Sequence, residues 1–386
     1  MSDFSADDHR YMGRALELAA RGLYSTDPNP RVGCVIVADG RVLGEGFHAR
    51  AGEAHAERLA LAAAGAAARG ATVYVTLEPC AHHGRTPPCA DALVAAQVAR
   101  VVYAVGDPNP RVAGEGAARL AAAGIRAESG LMSAAAEAQN PGFLSRHRRG
   151  RPWLRIKLAA SLDGRTGLAN GKSQWLTCEA SRADVQRLRA RSSAILTGAA
   201  TVQRDDPRLT VRDDTLELRG RRPLRVILDP GLTTPPAARL FAEPGPVLVL
   251  TASQDAKAAT ALAAAGAEIV RHPGVALRDL GAVLAELARR EQNEVLVEAG
   301  PRLAGAFVEA GLVDEFVLYL APHMLGHDAA PLAMLPMLDD LGERWEFRYA
   351  DVRQVGADLR LTLTPLAREA SCCSRGSCRG SGRSPR

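Results

Sequence analysis

Short β-branched runs alternate with alanine-rich stretches of helical length along nearly all of this 386-residue chain. Runs such as TVYVTL (residues 72–77) are apolar on both faces and too short for a helix. A strand of that kind must be covered on both sides, and the intervening alanine-rich stretches are what can cover it. The fold class that follows is α/β with a mixed sheet. Strands are expected at 32–37, 42–47, 72–77 and 100–105, and helices at 9–21, 55–68, 91–96 and 114–123. Asp39-Gly40 between the first two strands is a hairpin signal. Asp27-Pro28-Asn29-Pro30 ends the first helix.

The alternation stops at SRHRRGRP, residues 145–152, a basic, turn-forming run with no apolar face. It reads as a solvated linker, with a phosphate contact as the functional alternative. The pattern restarts at Trp153, with strands at 154–159, 194–197, 224–228, 247–251, 294–298, 313–320 and 358–363. Helices at 181–190, 256–265 and 279–290 fall between them. Two cores suit this length. The division is 1–147, 148–366 and a tail, 367–386, of Ser, Gly, Arg and Cys that reads as disordered.

Charge excludes more than it suggests. The net charge is +5, but the tail holds five arginines against one glutamate, so the body is near neutral. Aromatics make up only 4%, few for stacking nucleic-acid bases. No nucleic-acid partner is expected. No apolar run is long enough to span a membrane, and MSDFSADDHR is not a signal peptide. The seven cysteines do not form a secreted disulfide framework, and three of them crowd a tail that has no histidine. The expectation is a cytoplasmic protein whose thiols stay reduced.

His55-Ala56-Glu57, Pro79-Cys80 and Pro88-Cys89 are the chemistry-bearing residues. One histidine and two thiolates fill three corners of a zinc tetrahedron and leave the fourth for water. Glu57, two residues after His55, can face that corner and move protons without binding the metal. Zinc deaminases carry H-x-E followed by P-C-x-x-C. Here eight residues separate Cys80 from Cys89, so a non-catalytic zinc site or two unrelated cysteines stay open on spacing alone. His82 and His83, in the longer loop, are read as spare ligands, substrate contacts or surface residues.

TLEPCAHHGRTPPC, with NPRVGCVIV upstream and HAE between them, closely resembles the bifunctional riboflavin-biosynthesis deaminase–reductase family. The resemblance runs on through KLAASLDGRT, SQWLT, ILTGAATVQRDDPRLTVR and VEAGPRLAGAF, and covers roughly residues 8–366. It implies a cytidine-deaminase-like α/β/α domain with zinc (Zn2+), then a dihydrofolate-reductase-like α/β domain using NADPH. The implied substrate is a small phosphorylated diaminopyrimidine, first deaminated to the aminouracil and then reduced from ribosyl to ribityl. Rival readings are a nucleic-acid deaminase with an accessory binding domain, and a half-active relative. A homo-oligomer is left open.

Carried over residue by residue, His55, Cys80 and Cys89 hold the metal, Glu57 carries protons, and Asn29 contacts the ring. Ala159, Trp175, Thr201 and Asp205 are implied to touch the nicotinamide nucleotide, together with Gly300, Pro301, Arg302, Leu303, Ala304, Gly305 and Ala306. Ser173, Arg189, Leu209, Arg212 and Glu298 are implied to touch substrate. Arg189, Arg208 and Arg212 are the phosphate candidates, and Lys157 and Asp163 lie in the segment expected to line the reducing site. Trp175 reads equally as a core aromatic. Pro230 replaces the serine that many relatives carry after the aspartate, so a hydroxyl contact is lost there.

Overall fold

A computed structural model describes residues 4–82, 87–109, 113–276 and 278–366. The tail, 367–386, and His83 lie outside the described residues.

The first unit is built on a five-stranded sheet in the order β2-β1-β3-β4-β5. Its strands are β1 (Gly33–Ala38), β2 (Arg41–Phe47), β3 (Thr72–Leu77), β4 (Arg100–Val105) and β5 (Arg126–Ser129). β1 is antiparallel to β2 and β3, whereas β3, β4 and β5 run parallel. Helix α1 (Ala6–Ala20) starts at Ser5, whose hydroxyl accepts from the Asp8 N–H while the Asp8 carboxylate accepts from the Ser5 N–H. It packs on β1 and β3, and α2 (Ala56–Ala64) packs on β1 and β2. Met12, Val35, Val73, Val101 and Leu120 share the resulting core. The expected helix over 55–68 is α-helical only to Ala64 and tightens into a 3-10 turn over Gly65–Ala68; His55 caps it from outside. α3 (Cys89–Ala95), α4 (Glu115–Ala122) and α5 (Ser133–Gln139) complete the layers.

The basic run at 145–152 is not a solvated linker. Its first half lies in α6 (Pro141–Arg149), where Phe143, Leu144 and Ser145 are buried. Arg149 and Arg151 both bond the Asp314 carboxylate, at 2.7 Å each. Phe143 and Leu144, upstream of the basic residues, are the buried side of this short helix. Gly142 shows how closely the helix docks, since a Cβ there would lie 2.5 Å from the Asn293 carbonyl oxygen.

The second unit is a nine-stranded sheet, β11-β10-β9-β8-β12-β6-β13-β16-β15. In chain order these are β6 (Trp153–Ser161), β8 (Ala194–Gly198), β9 (Leu224–Leu228), β10 (Val247–Thr251), β11 (Ala267–Arg271), β12 (Glu294–Val297), β13 (Glu315–Ala321), β15 (Phe347–Val355) and β16 (Asp358–Pro365). β7 (Arg165–Gly167) and β14 (Ala330–Pro331) form a small separate ribbon. The sheet is parallel from β11 to β13 and antiparallel at β13, β16 and β15. Leu154, Ile156, Leu196, Val226, Leu248, Val295 and Phe307 form its core. Helices α7 (Glu179–Arg191) and α8 (Ala199–Asp205) flank β8 in sequence.

The two units meet through buried polar contacts. Asn293 Nδ2 donates to Asp27 Oδ1 at 2.9 Å and to the Pro28 carbonyl at 2.8 Å, and the Ser193 hydroxyl donates to Asp27 at 2.9 Å. These bonds fasten the Asp27–Pro30 turn of the first unit to the residues that lead into β8 and β12, two interior strands of the second.

Candidate active sites

β3 ends at Leu77, and the chain leaves its carboxyl end through Glu78-Pro79-Cys80. Cys89 is the first residue of α3, and its backbone N–H reaches Cys80 Sγ at 3.3 Å. His55 stands just before α2. Its Nδ1 lies 3.6 Å from Cys80 Sγ and 3.4 Å from Cys89 Sγ. Zinc–sulfur and zinc–nitrogen bond lengths put such a tetrahedron edge at about 3.6 Å. The three ligand atoms all lie within 4.8 Å of one another and are the one such group among the described residues, so they fit zinc. His82 is not part of it; it lines the adjoining cavity.

The thiols are unequal. Donation from Cys89 and from His55 lowers Cys80, while Cys89 is raised because its proton is held by Cys80. The hydrogen bond to Cys80 raises His55 in turn. A metal cation replaces this shared proton. Glu57, in the first turn of α2, is 4% exposed, and burial, then the Cys80 thiolate, push its carboxyl up. A carboxyl whose proton affinity is raised by burial beside the three ligand residues is suited to passing protons.

A cavity of about 360 Å3 opens on these residues and is also lined by Asn29, His48, Glu78 and Arg146. His48 Nε2 lies 3.0 Å from Asn29 Nδ2, and His48 Nδ1 lies 3.2 Å from the Ala54 carbonyl. The imidazole therefore donates through Nδ1, accepts through Nε2 and fixes which way the Asn29 amide faces. His48 carried no motif signal, and Glu78, although inside TLEPCAHHGRTPPC, was given no role of its own. Glu78 is buried and takes the N–H groups of Asp107, Gly114 and Ala117 at 3.1 Å each, closing the wall below β4.

In the second unit a cavity of about 240 Å3 gathers Ala159, Ser173, Thr201, Asp205, Leu209, Glu298, Gly300 and Pro301 from the expected set, and Lys157 with them. Gly300 caps the helix Pro301–Glu309, and its N–H meets Thr201 Oγ1 at 3.3 Å. Small residues at a helix N-terminus suit the diphosphate of a dinucleotide. Ser173 bonds Asp205 at 3.3 Å, and burial raises the Asp205 carboxyl. Burial lowers Lys157.

Several expected residues stand elsewhere. Arg302, Leu303, Ala304, Gly305 and Ala306 continue into the helix, away from the cavity lining. Gly305 is glycine for packing, since a Cβ would sit 1.9 Å from the Met334 carbonyl oxygen. Arg189 is buried and grips Glu298 with two bonds, 2.6 and 2.8 Å, while a third goes to the Thr210 carbonyl. It is a partner of Glu298 and not an open phosphate clamp. Burial raises Glu298, but Arg189 and then Lys157 outweigh it and hold it ionised. Trp175 is 71% exposed, with the Arg182 guanidinium 4.9 Å from its ring centre, so it is no core aromatic. Arg212 is outside the lining; burial, then the like charges of Arg189 and Arg208, lower it, and Arg208 itself pairs with Glu243 at 3.2 Å. Asp163 accepts from the N–H groups of Leu325 and Gly326, so it holds a turn. Pro230 is exposed, and its carbonyl accepts from Thr251 at 3.3 Å.

Residues 5–105 match the cytidine and deoxycytidylate deaminase zinc-binding region, and residues 152–361 match the RibD C-terminal domain. With the sites above, they define a bifunctional enzyme, a zinc-binding deaminase joined to a reductase that takes a nicotinamide cofactor. This displaces the reading of the second unit as an accessory nucleic-acid module. The chain belongs to the RibD family of riboflavin-biosynthesis proteins. It is 49% identical over 370 residues to the riboflavin biosynthesis protein RibD of Escherichia coli, covering 92% of this chain and 99% of that one. The Acinetobacter baumannii RibD structure superposes with a TM-score of 0.88 at 44% identity, covering 94% and 99% of the two chains. A diaminohydroxyphosphoribosylaminopyrimidine deaminase/5-amino-6-(5-phosphoribosylamino)uracil reductase from Thermotoga maritima gives 0.82 at 32% identity, covering 93% and 99%. Among the described residues no helix is long and apolar enough to cross a membrane.

Proposed function

We propose that this enzyme deaminates 2,5-diamino-6-(5-phosphoribosylamino)pyrimidin-4-one to 5-amino-6-(5-phosphoribosylamino)uracil, and then reduces the ribosyl group to ribityl with NADPH. The convergence of His55 Nδ1 and the Cys80 and Cys89 sulfurs beside Glu57 carries the first half of this reading. Zinc bound there supplies a nucleophilic water at neutral pH. Glu57 would take one proton from the attacking water and give it to the ring nitrogen, then take the second from the hydroxyl now on the ring carbon and give it to the amino group, which leaves as ammonia while the carbonyl forms. Asn29, set by His48, orients the ring.

In the second cavity NADPH supplies the hydride. Gly300, Pro301 and Thr201, with Ala159 and Asp205, hold the nucleotide; Ser173, Leu209 and Glu298 position the sugar. Lys157 gives a proton to the sugar oxygen as the carbonyl is reduced, its pKa lowered by burial toward that task. Arg189 acts through Glu298, and Arg212, which is exposed, offers the substrate's phosphate a cation. The first activity is assigned to residues 1–147 and the second to 148–366. The near-neutral body fits a small-molecule substrate in the cytoplasm and no nucleic-acid partner. The experiment is stepwise: ammonia release from the diaminopyrimidine by the zinc-loaded enzyme, then NADPH oxidation on the product, followed by the loss of the reduced nicotinamide's absorbance. Ammonia without subsequent NADPH oxidation refutes the second half alone.

A further inference from the structure

The turn that carries Asn29 is closed within the first unit by the Asn29 N–H, which donates to the Thr26 carbonyl at 3.0 Å. Asp27 and Pro28 stand between those residues, and proline has no N–H to offer. Ser193 and Asn293 of the second unit fix this middle. Asn293 commits both hydrogens of its amide, at 2.9 Å to Asp27 Oδ1 and 2.8 Å to the Pro28 carbonyl. Its orientation is forced, because the reversed amide would set Oδ1 against two acceptors. Ser193 is equally committed. Its oxygen accepts the N–H groups of Asn293 and Glu294 at 2.9 and 3.0 Å, so its own proton goes to Asp27.

Both side chains are buried, and each stands immediately before an interior strand, Ser193 before β8 and Asn293 before β12. Groups placed there are rigid supports. The chain on either side of the turn is held from the same unit. Arg221 Nε donates to the Tyr24 carbonyl at 2.8 Å while its Nη1 reaches the Ser192 carbonyl at 2.7 Å. Arg31 pairs with Glu294 at 2.7 Å. Asn29 lies between these anchors and lines the deaminase cavity, as does Glu291 of the second unit. The first unit supplies the metal ligands and Glu57, but the backbone that presents Asn29 is set across the interface.

We propose that Asn293 of the reductase unit is a positioning residue for deamination, holding Asp27 and Pro28 so that Asn29 meets the pyrimidine ring. The deaminase site is then complete only with the second unit docked. This rests on the deaminase reading given above. Asn293 acts through the turn and is not among the described residues lining the cavity. What it secures is alignment. A ring that enters without a fixed Asn29 still binds, but its amino-bearing carbon seldom meets the nucleophile, so kcat falls while KM holds.

The test is steady-state ammonia release from the diaminopyrimidine by the full-length zinc-loaded enzyme. Zinc content and NADPH oxidation on the aminouracil are measured on the same preparations. Asn293→Ala is expected to lower kcat for ammonia release by about 10- to 100-fold, with KM, zinc content and NADPH oxidation near those of the parent. Asp27→Ala should do the same, and the double variant should lose far less than the product of the two, because both changes break one link. Asp27→Asn keeps an oxygen for the two donors and should retain most of the activity. A rise in KM at unchanged kcat, an undiminished kcat in Asn293→Ala, or losses that multiply in the double variant overturns the assignment. If Asn293→Ala loses NADPH oxidation as well, its fold is lost and the Asp27 pair decides: equal ammonia release by Asp27→Ala and Asp27→Asn then overturns it. An unsubstituted enzyme that releases no ammonia overturns the deaminase reading and this assignment with it, a failure set apart because it involves no substitution.

Discussion

Arg31 Nη2 lies 2.7 Å from Glu294 Oε1, an ion pair that joins the deaminase unit to the first residue of β12. Both side chains are buried, 9% and 3% exposed, and Glu294 also receives Arg155 at 3.2 Å and Arg191 at 3.1 Å. Burial alone would raise this carboxyl, but Arg191, then Arg31 and Arg155, hold it far below the usual range. Arg31 also bonds Asn140 through its backbone on both sides. One carboxylate thus ties the turn bearing Asn29 to the sheet of the reductase unit.

Glu294→Ala should destabilise the chain by about 3–5 kcal/mol, because it strands buried guanidinium groups. A urea titration followed by circular dichroism reads this. The folded carboxyl titrates below its unfolded value of about 4.3, so its contribution is complete above that pH and is lost as pH falls through the folded value. The stability of Glu294→Gln should therefore depend less on pH in the acid range than that of the parent. An equally steep acid loss in both proteins contradicts the linkage.

Glu57→Gln should lower ammonia release by about 10^2 to 10^4-fold while zinc content stays near that of the parent. The side chain keeps its shape and loses its proton affinity. Metal analysis beside the ammonia assay separates the two effects, and zinc loss in this variant contradicts the role assigned.

Cys89→Ser should deplete zinc and silence the deaminase, because a serine hydroxyl does not replace a thiolate ligand. Chelation of the parent should have the same effect and be reversed by added zinc. NADPH oxidation on preformed aminouracil should survive both treatments, since among the described residues the second cavity shares none with the first.

Arg212→Ala should raise KM of the reductase by about 10- to 100-fold, the loss of one or two charge-assisted bonds. Ammonia release should be unaffected. Equal damage to both activities would contradict the assignment of the two reactions to separate halves of the chain.

The zinc site was legible because its signal is local. His55 and Glu57 are two residues apart, and Cys80 and Cys89 flank one loop, so short spacing made them candidates and the resemblance of TLEPCAHHGRTPPC selected among the readings that spacing left open. The strands TVYVTL, LRVIL and VLVLT were legible for a similar reason, since each is buried through most of its length and apolar almost throughout. β15 was not, because it is exposed along nearly all of its nine residues and carries no apolar run. The 145–152 run misled because its helix buries residues lying upstream of the charges, and its arginines find acceptors that are distant in sequence, such as Asp314.

The sequence by itself determined the element alternation, which depends on neighbours in the chain, and it nominated His55, Cys80 and Cys89 as ligands, which folding brings together across 25 and 34 residues. Only the tertiary structure decided that Arg189 is committed to Glu298, that the 302–306 stretch turns into helix packing, that His48 sets Asn29 and that Arg146 faces the deaminase cavity. The physical reason is that a polar side chain's role depends on which acceptors and donors reach it after folding. Glu298 lies 109 residues from Arg189, and no local pattern records that distance.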